Sequence, residues 1–124
     1  MQIEVKGRQM AITDELRDHV ERRFDKIARQ VSDLARLDVE LSLEPNRALP
    51  DRHVAEATLH LKGTVLRASD ASRDMTHSIT LCADELTRQV KRNRDKRRRR
   101  REARSAEVPS APAAERSGEI TPAS

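Results

Sequence analysis

The sequence predicts an α+β fold, a β-α-β-β-β-α two-layer sandwich in which a four-stranded mixed sheet carries two helices on one face. Three observations predict it. Four segments alternate apolar and polar residues with the two-residue period of a half-buried strand. Two segments repeat apolar residues every three or four positions, the single stripe of an amphipathic helix. A one-sided sheet and two one-sided helices bury their apolar faces only against each other.

The elements follow in order. Residues 2–6 place Ile3 and Val5 on one side and Gln2, Glu4 and Lys6 on the other, a strand that Gly7 is expected to break. Thr13 is a suitable helix cap, and Asp14 and Glu15 suit the first turn. Leu16, Val20, Phe24, Ile27 and Val31 then form one helical stripe. Leu37, Val39, Leu41 and Leu43 alternate with polar residues as a second strand. Residues 45–51 are a loop, because Pro45 and Pro50 lack ladder donors. Ala55, Ala57, Leu59 and Leu61 mark a third strand, Lys62-Gly63 a tight turn, and residues 64–68 a fourth strand with Leu66 and Ala68 inward. Ser72 is the expected cap of the last helix, with Asp74 in its first turn and Met75, Ile79, Cys82, Ala83, Leu86 and Val90 as its stripe. No breaker follows until past the basic block, so this helix is free to run into it. Strands one and two flank a helix and are expected parallel with a right-handed crossover. Strands two to four form an antiparallel meander, and the second sheet face stays polar and open.

Composition excludes some functions. The 124 residues hold one aromatic side chain, Phe24, and neither Trp nor Tyr. A protein that stacks bases on aromatic rings is excluded, and an aromatic-lined ligand pocket is not expected. Cys82 stands alone, which removes an intrachain disulfide and a Cys-type zinc site. The charged opening (Glu4, Lys6, Arg8) is no signal peptide, and no apolar run exceeds three residues, so neither secretion nor a membrane span is expected. A soluble cytoplasmic protein is expected. His19, His53, His60 and His77 lie on different elements or edges, and three glycines supply no phosphate loop. With Cys82 on an apolar stripe, no nucleophile or acid–base pair stands out. A non-enzyme is expected, with no cofactor, metal or small-molecule substrate.

The net charge of +4 hides a segregation. Residues 1–90 carry 14 basic and 16 acidic side chains, whereas residues 91–104 carry 10 basic and 2 acidic. Such a block repels itself unless a polyanion neutralises it, and phosphate is the expected partner. The domain is expected at residues 1–94 and a tail at 95–124, basic at first and then low-complexity. The Pro/Ala/Ser-rich stretch 105–124 is expected to be disordered, since it lacks the apolar surface to offset chain entropy.

Helical wheels sharpen the site. With Leu16 at zero, the apolar stripe of the first helix spans about 0–80°. Asp14, Asp18, Glu21 and Asp25 fall at about 140–200°, and Arg22, Lys26 and Arg29 at about 220–280°. Intrahelical pairing is the plain alternative, at about 0.2–0.5 kcal/mol per pair. On the last helix Arg88, Lys91 and Arg92 lie away from the stripe and lead into Arg94, Lys96, Arg97 and Arg98. These cations are expected to form one surface that grips phosphates and reads shape rather than base sequence.

Four stretches carry a resemblance: IEVKGRQMAITDELRDHVERRFDKI, LDVELSLEP, HVAEATLHLKGTVLRAS and DMTHSITLCADELTRQVKR. With Gly7-Arg8 after the first strand, Lys26 in the first helix, and Asp74-Met75 followed by Leu86, Arg88 and Gln89, the chain resembles the ribosome hibernation promoting factor / ribosome-associated inhibitor A family, also called the sigma-54 modulation protein family. The resemblance covers about residues 1–94 and is to the short form. It implies a translation inhibitor that binds the small ribosomal subunit and the 70S ribosome in stress or stationary phase. Such a protein sits on 16S rRNA in the mRNA and tRNA channel at the A and P sites and keeps ribosomes idle. Carried over by position, it implies RNA contacts at Arg8, Arg23, Lys26, Arg88, Lys91 and Arg92; Arg22 and Arg29 are added from the wheel. A free monomer is expected. Thr76 and Thr80 depart from the family's common Tyr and acidic residue. The stretch after the match is short and of low complexity, so pairing of ribosomes by a second folded domain is not expected. The alternative function is a general structured-RNA binder or nucleic-acid chaperone acting through the Arg-rich tail.

Overall fold

Hydrogen bonding joins the four alternating segments into one sheet of order β1-β2-β3-β4, with β1 at Gln2–Arg8, β2 at Arg36–Leu43, β3 at His53–Leu61 and β4 at Thr64–Ser72. The structure, a computed structural model, describes residues 1–45 and 51–107. Helix α1 (Asp14–Ala28) connects β1 to β2, and these two strands pair in parallel with Ile3 opposite Leu37 and Val5 opposite Val39. β2, β3 and β4 form the antiparallel meander. Helix α2 (Met75–Glu107) completes the β-α-β-β-β-α order. The α+β fold is the one the sequence predicts.

The registers explain the core. The central in-register row on the helix side is apolar: Val5, Val39, Ala57 and Ala68 lie side by side across all four strands. Over the sheet lie Val20, Phe24 and Ile27 of α1 and Ile79, Cys82 and Leu86 of α2, all with no exposed surface. Leu16, at the start of the α1 stripe, is half-buried, and so is Val31, which the spacing places on that stripe but which lies beyond the end of α1 at Ala28. The Cys82 thiol donates to the Ala68 carbonyl at 3.4 Å. Burial, with a smaller push from the Asp70 charge, raises its pKa to about 12, which leaves a protonated, structural thiol at neutral pH.

Several boundaries differ from expectation. β1 does not stop at Gly7 but continues to Arg8. The chain then folds back so tightly that a Cβ on Gly7 would run into the Met10 carbonyl oxygen and press on Ile12 Cδ1 at 3.1 Å. Glycine therefore permits a close approach rather than ending the strand. β4 continues beyond Ala68 to Ser72, because β3 offers ladder partners as far as His53 opposite Ser72. The loop residues 46–50 lie outside the described residues.

A further difference is the cap of α2. Ser72 ends β4, where its hydroxyl meets Asp74 O and Ser78 Oγ at 2.7 Å each, and Ser78 Oγ donates to the His53 carbonyl at 2.6 Å. Asp74 is the cap. Its carboxylate accepts the Thr76 hydroxyl and the backbone N–H groups of Thr76 and His77. The Thr76 hydroxyl foremost, then the backbone donors, holds the carboxyl below its ordinary value of 3.8. A depressed pKa contributes stability above 3.8 that is lost as pH falls through the lowered value. Asp74→Ala is therefore expected to lower stability by about 0.5–2 kcal/mol at neutral pH. In strongly acidic buffer the two proteins should converge. Urea midpoints at the two pH values check this, and an equal deficit at both would refute it.

The basic block is helical, as the absence of a breaker allows. Residues 105–107, expected in the disordered stretch, still belong to α2, and residues 108–124 lie outside the described residues. The chain divides into a compact unit Met1–Val90 and a second unit that begins at Lys91. No helix among the described residues is long and apolar enough to cross a membrane.

Candidate nucleic-acid interface

In the first unit, topology sets the direction of both helices. α1 returns the chain between two parallel strands, and α2 follows β4, which runs parallel to β2. Both helices therefore run against β2 and are parallel to each other. Thr13 Oγ1 caps α1 by accepting the Leu16 N–H at 3.2 Å. A single side chain then ties the helices together. His19 Nε2 donates to the Thr76 carbonyl at 3.1 Å and lies 3.4 Å from Thr80 Oγ1. Thr80 Oγ1 donates to the same carbonyl at 3.0 Å.

This contact orients the α1 wheel. His19 falls at about 300°, so that side of α1 faces α2. Lys26 lies at about 280° and Arg23 at about 340° on the same wheel. Arg23 and Lys26 thus lie on the side of α1 that looks toward α2, whereas Glu15, at about 260° on the same wheel, and Asp18 line that side over the first turns. Arg22, Arg23, Lys26 and Arg29 are all exposed. Arg29 is 79% exposed and pairs with Asp25 at 2.8 Å. Lys26 makes no ion pair among the described residues. A shallow groove of about 360 Å³ opens at the start of both helices, lined by Thr13, Glu15, Leu16, Asp18, His19, Arg22 and Thr76. Arg22 also borders Asp18, Glu21 and Asp25, so its charge is partly offset by the acidic flank.

The other first-unit candidates do not converge on this flank. Arg88 of α2 is 61% exposed and pairs with Glu85 at 2.8 Å. It lies near Asp70 of β4, whose carboxyl burial and the Glu85 charge hold above its ordinary value while Arg88 pulls it down. Arg88 thus leans over the β4 side of α2. Arg8 is on the opposite sheet face. It alternates with Gly7, which points inward, and its guanidinium donates to Glu44 Oε2 at 2.7 Å. The expected single surface is therefore divided. Arg23 and Lys26 line the helix-facing flank, Arg29 and Arg88 sit in exposed pairs on the helix layer, and Arg8 stands apart. Exposed pairs contribute little, about 0–1 kcal/mol, so a polyanion can displace them. The uncovered sheet face is no cationic patch, since Asp38 there meets His60 at 3.2 Å and Arg36 at 3.5 Å.

In the second unit, Lys91, Arg92, Arg94, Lys96, Arg97 and Arg98 are exposed on the helix. Arg98 meets Asp95 at 3.5 Å. Among the described residues no group of three or more His, Cys, Asp or Glu could hold a metal ion.

Sequence reasoning missed His19 as the helix tie. The available signal was its wheel position between the basic flank and the apolar stripe. It also read Thr76 and Thr80 only as departures, whereas both are partners of His19.

Comparison with known proteins gives consistent relatives. The family described as Sigma 54 modulation protein / S30EA ribosomal protein matches residues 3–98. A ribosome hibernation promotion factor of Picosynechococcus is 33% identical over 97 residues, which is 77% of this chain and 50% of that protein. The chain therefore spans about half the length of that relative. A ribosome hibernation promoting factor of Escherichia coli K12 is 31% identical over 96 residues, covering 77% of this chain and 96% of that protein. The crystal structure of the Thermus thermophilus Protein Y N-terminal domain superposes with a TM-score of 0.64 at 31% identity, covering 74% of this chain and 98% of that one. A ribosomal subunit interface protein from Coxiella burnetii, at 17% identity and a TM-score of 0.62, shares the fold; the match covers 77% of this chain and 99% of that one.

Proposed function

The chain belongs to the Sigma 54 modulation protein / S30EA ribosomal protein family, and on that premise we propose that it is a ribosome-associated hibernation factor that inhibits translation. It binds the small ribosomal subunit along 16S rRNA, in the mRNA and tRNA channel at the A and P sites. Stress or stationary phase brings it there, and it keeps the ribosomes idle. The role is one of binding in the cytoplasm rather than catalysis.

One observation carries the reading: the side of α1 with Arg23 and Lys26 faces α2 through the His19 tie. Cations fixed on rigid helices meet phosphates at defined spacing, which positions the protein by backbone shape. Phe24, the only Phe, Tyr or Trp of the chain, is wholly buried and does not stack on bases. Sucrose-gradient fractionation of starved cells tests the proposal. The protein is expected with 30S and 70S particles at low salt and to leave them as salt rises. Absence from both at low salt would end it.

A further inference from the structure

The two edges of the sheet differ. On the β4 edge, Gln89 Nε2 of α2 donates to the Arg67 carbonyl at 2.6 Å, so one outward group is already taken. The β1 edge carries no such cover. The Gln2 N–H donates to the Ala35 carbonyl at 2.9 Å, which turns the backbone groups of the even-numbered residues of β1 toward β2. The N–H and C=O groups of Ile3, Val5 and Gly7 therefore point away from the sheet, and among the described residues no backbone hydrogen bond reaches them. β1 pairs with β2 residue by residue from Gln2 to Arg8 without a bulge, and it contains no proline. Bulges and prolines are devices that blunt exposed edges, so this edge is an intact template for a further strand.

We propose that the β1 edge is a homodimer interface, in which two copies of this chain join antiparallel through β1 about a two-fold axis at Val5. The residues select that register. With Val5 opposite Val5 of the second copy, Ile3 lies opposite Gly7, and the outward groups of Ile3, Val5 and Gly7 all fall at hydrogen-bonded positions. Glu4 then lies opposite Lys6 and Lys6 opposite Glu4, at the non-hydrogen-bonded positions where side chains approach more closely. The neighbouring registers lack this match. An axis at Glu4 sets Glu4 against Glu4, an axis at Lys6 sets Lys6 against Lys6, and an axis at Gly7 sets Lys6 against Arg8. Like charges directly opposite are destabilising. An axis at Ile3 leaves Gly7 unpaired. Such a two-fold keeps the helices of both copies on one side, so the half-buried Ile3 and the buried Val5 extend one apolar layer across the joint. The charge order complements itself, which favours a second copy over an unrelated peptide. The proposal stands apart from ribosome binding, and the monomer is the dilute form of the chain.

Sedimentation equilibrium of the full chain over a concentration series, with amide hydrogen exchange on the same samples, tests the interface without ribosomes. Self-association is expected, and with it protection of the Ile3, Val5 and Gly7 amides that grows with concentration. The Glu4 and Lys6 amides, already turned to β2, should be protected throughout. E4K sets lysine against Lys6 at both cross-strand pairs and is expected to raise the dimer dissociation constant by roughly 2–30-fold. Within one copy Glu4 lies beside Asp38 of β2, so the change does not cost the fold, and the thermal midpoint should not fall. E4K/K6E exchanges the two charges and is expected to recover most of the lost affinity. A chain that stays monomeric at the highest concentration, with Ile3, Val5 and Gly7 exchanging freely, overturns the proposal. Self-association without protection of these amides puts the contact elsewhere and overturns it too. Protection that does not depend on concentration would mean that a segment of the same chain pairs with the edge, and would overturn the second copy as occupant. Equal weakening in E4K and in a folded E4K/K6E refutes the register at Val5.

Discussion

Replacing both Arg23 and Lys26 by glutamate is expected to lower the affinity of the full chain for 30S subunits by roughly 10²–10⁴-fold. A hydrogen bond to a charged group is worth about 1.5–3 kcal/mol, and two such contacts account for that range. Both side chains are exposed, and Lys26 makes no ion pair among the described residues, so the fold loses little. The thermal midpoint should therefore stay near that of the parent. The same change at Arg22, which borders Asp18, Glu21 and Asp25, should weaken binding less, because its charge is already partly offset. Filter binding or gradient co-sedimentation across a salt series measures parent and variants alike. Unchanged 30S affinity in R23E/K26E would remove the α1 flank from the interface.

Phe24→Ala is expected to cost about 3–5 kcal/mol of stability. Phe24 is the largest fully buried side chain, in a core where Ala35, Ala55, Ala57, Ala68 and Ala83 supply several of the other buried positions. No neighbouring ring is present to fill the space. Domains of this size are stable by about 5–15 kcal/mol, so the variant should be partly unfolded at physiological temperature. Urea denaturation is expected to show a much lower midpoint with an unchanged slope. Ribosome binding should fall in proportion to the folded fraction, unlike the loss in R23E/K26E. A shift under about 1 kcal/mol would mean that the core collapses around the gap.

Much of the fold was legible because two local periods carry it. Alternation in residues 37–43 and the three-or-four spacing from Leu16 to Ile27 each demand one buried side, and both sides are turned into the core. Boundaries were less legible. Ser72 and Asp74 are both good caps by residue type, and only the pairing of β4 with β3 as far as Ser72 removes Ser72 from that role. Gly7 looked like a breaker because the sequence does not display the Met10 carbonyl that presses on it.

The candidate site divides in the same way. Residue order alone was enough for the two amphipathic helices, the one-sided sheet, the ring-poor surface and the placing of the basic block after the last apolar stripe. These are matters of period and composition along one chain. Packing in three dimensions was needed to settle that His19 turns the side of α1 with Arg23 and Lys26 toward α2, that Arg88 meets Glu85 near Asp70, and that Arg8 meets Glu44 on the other sheet face. Most of those outcomes depend on which residues distant in sequence come within hydrogen-bonding reach. A wheel gives the angle of a side chain about its own helix axis, and the neighbouring elements set what lies at that angle.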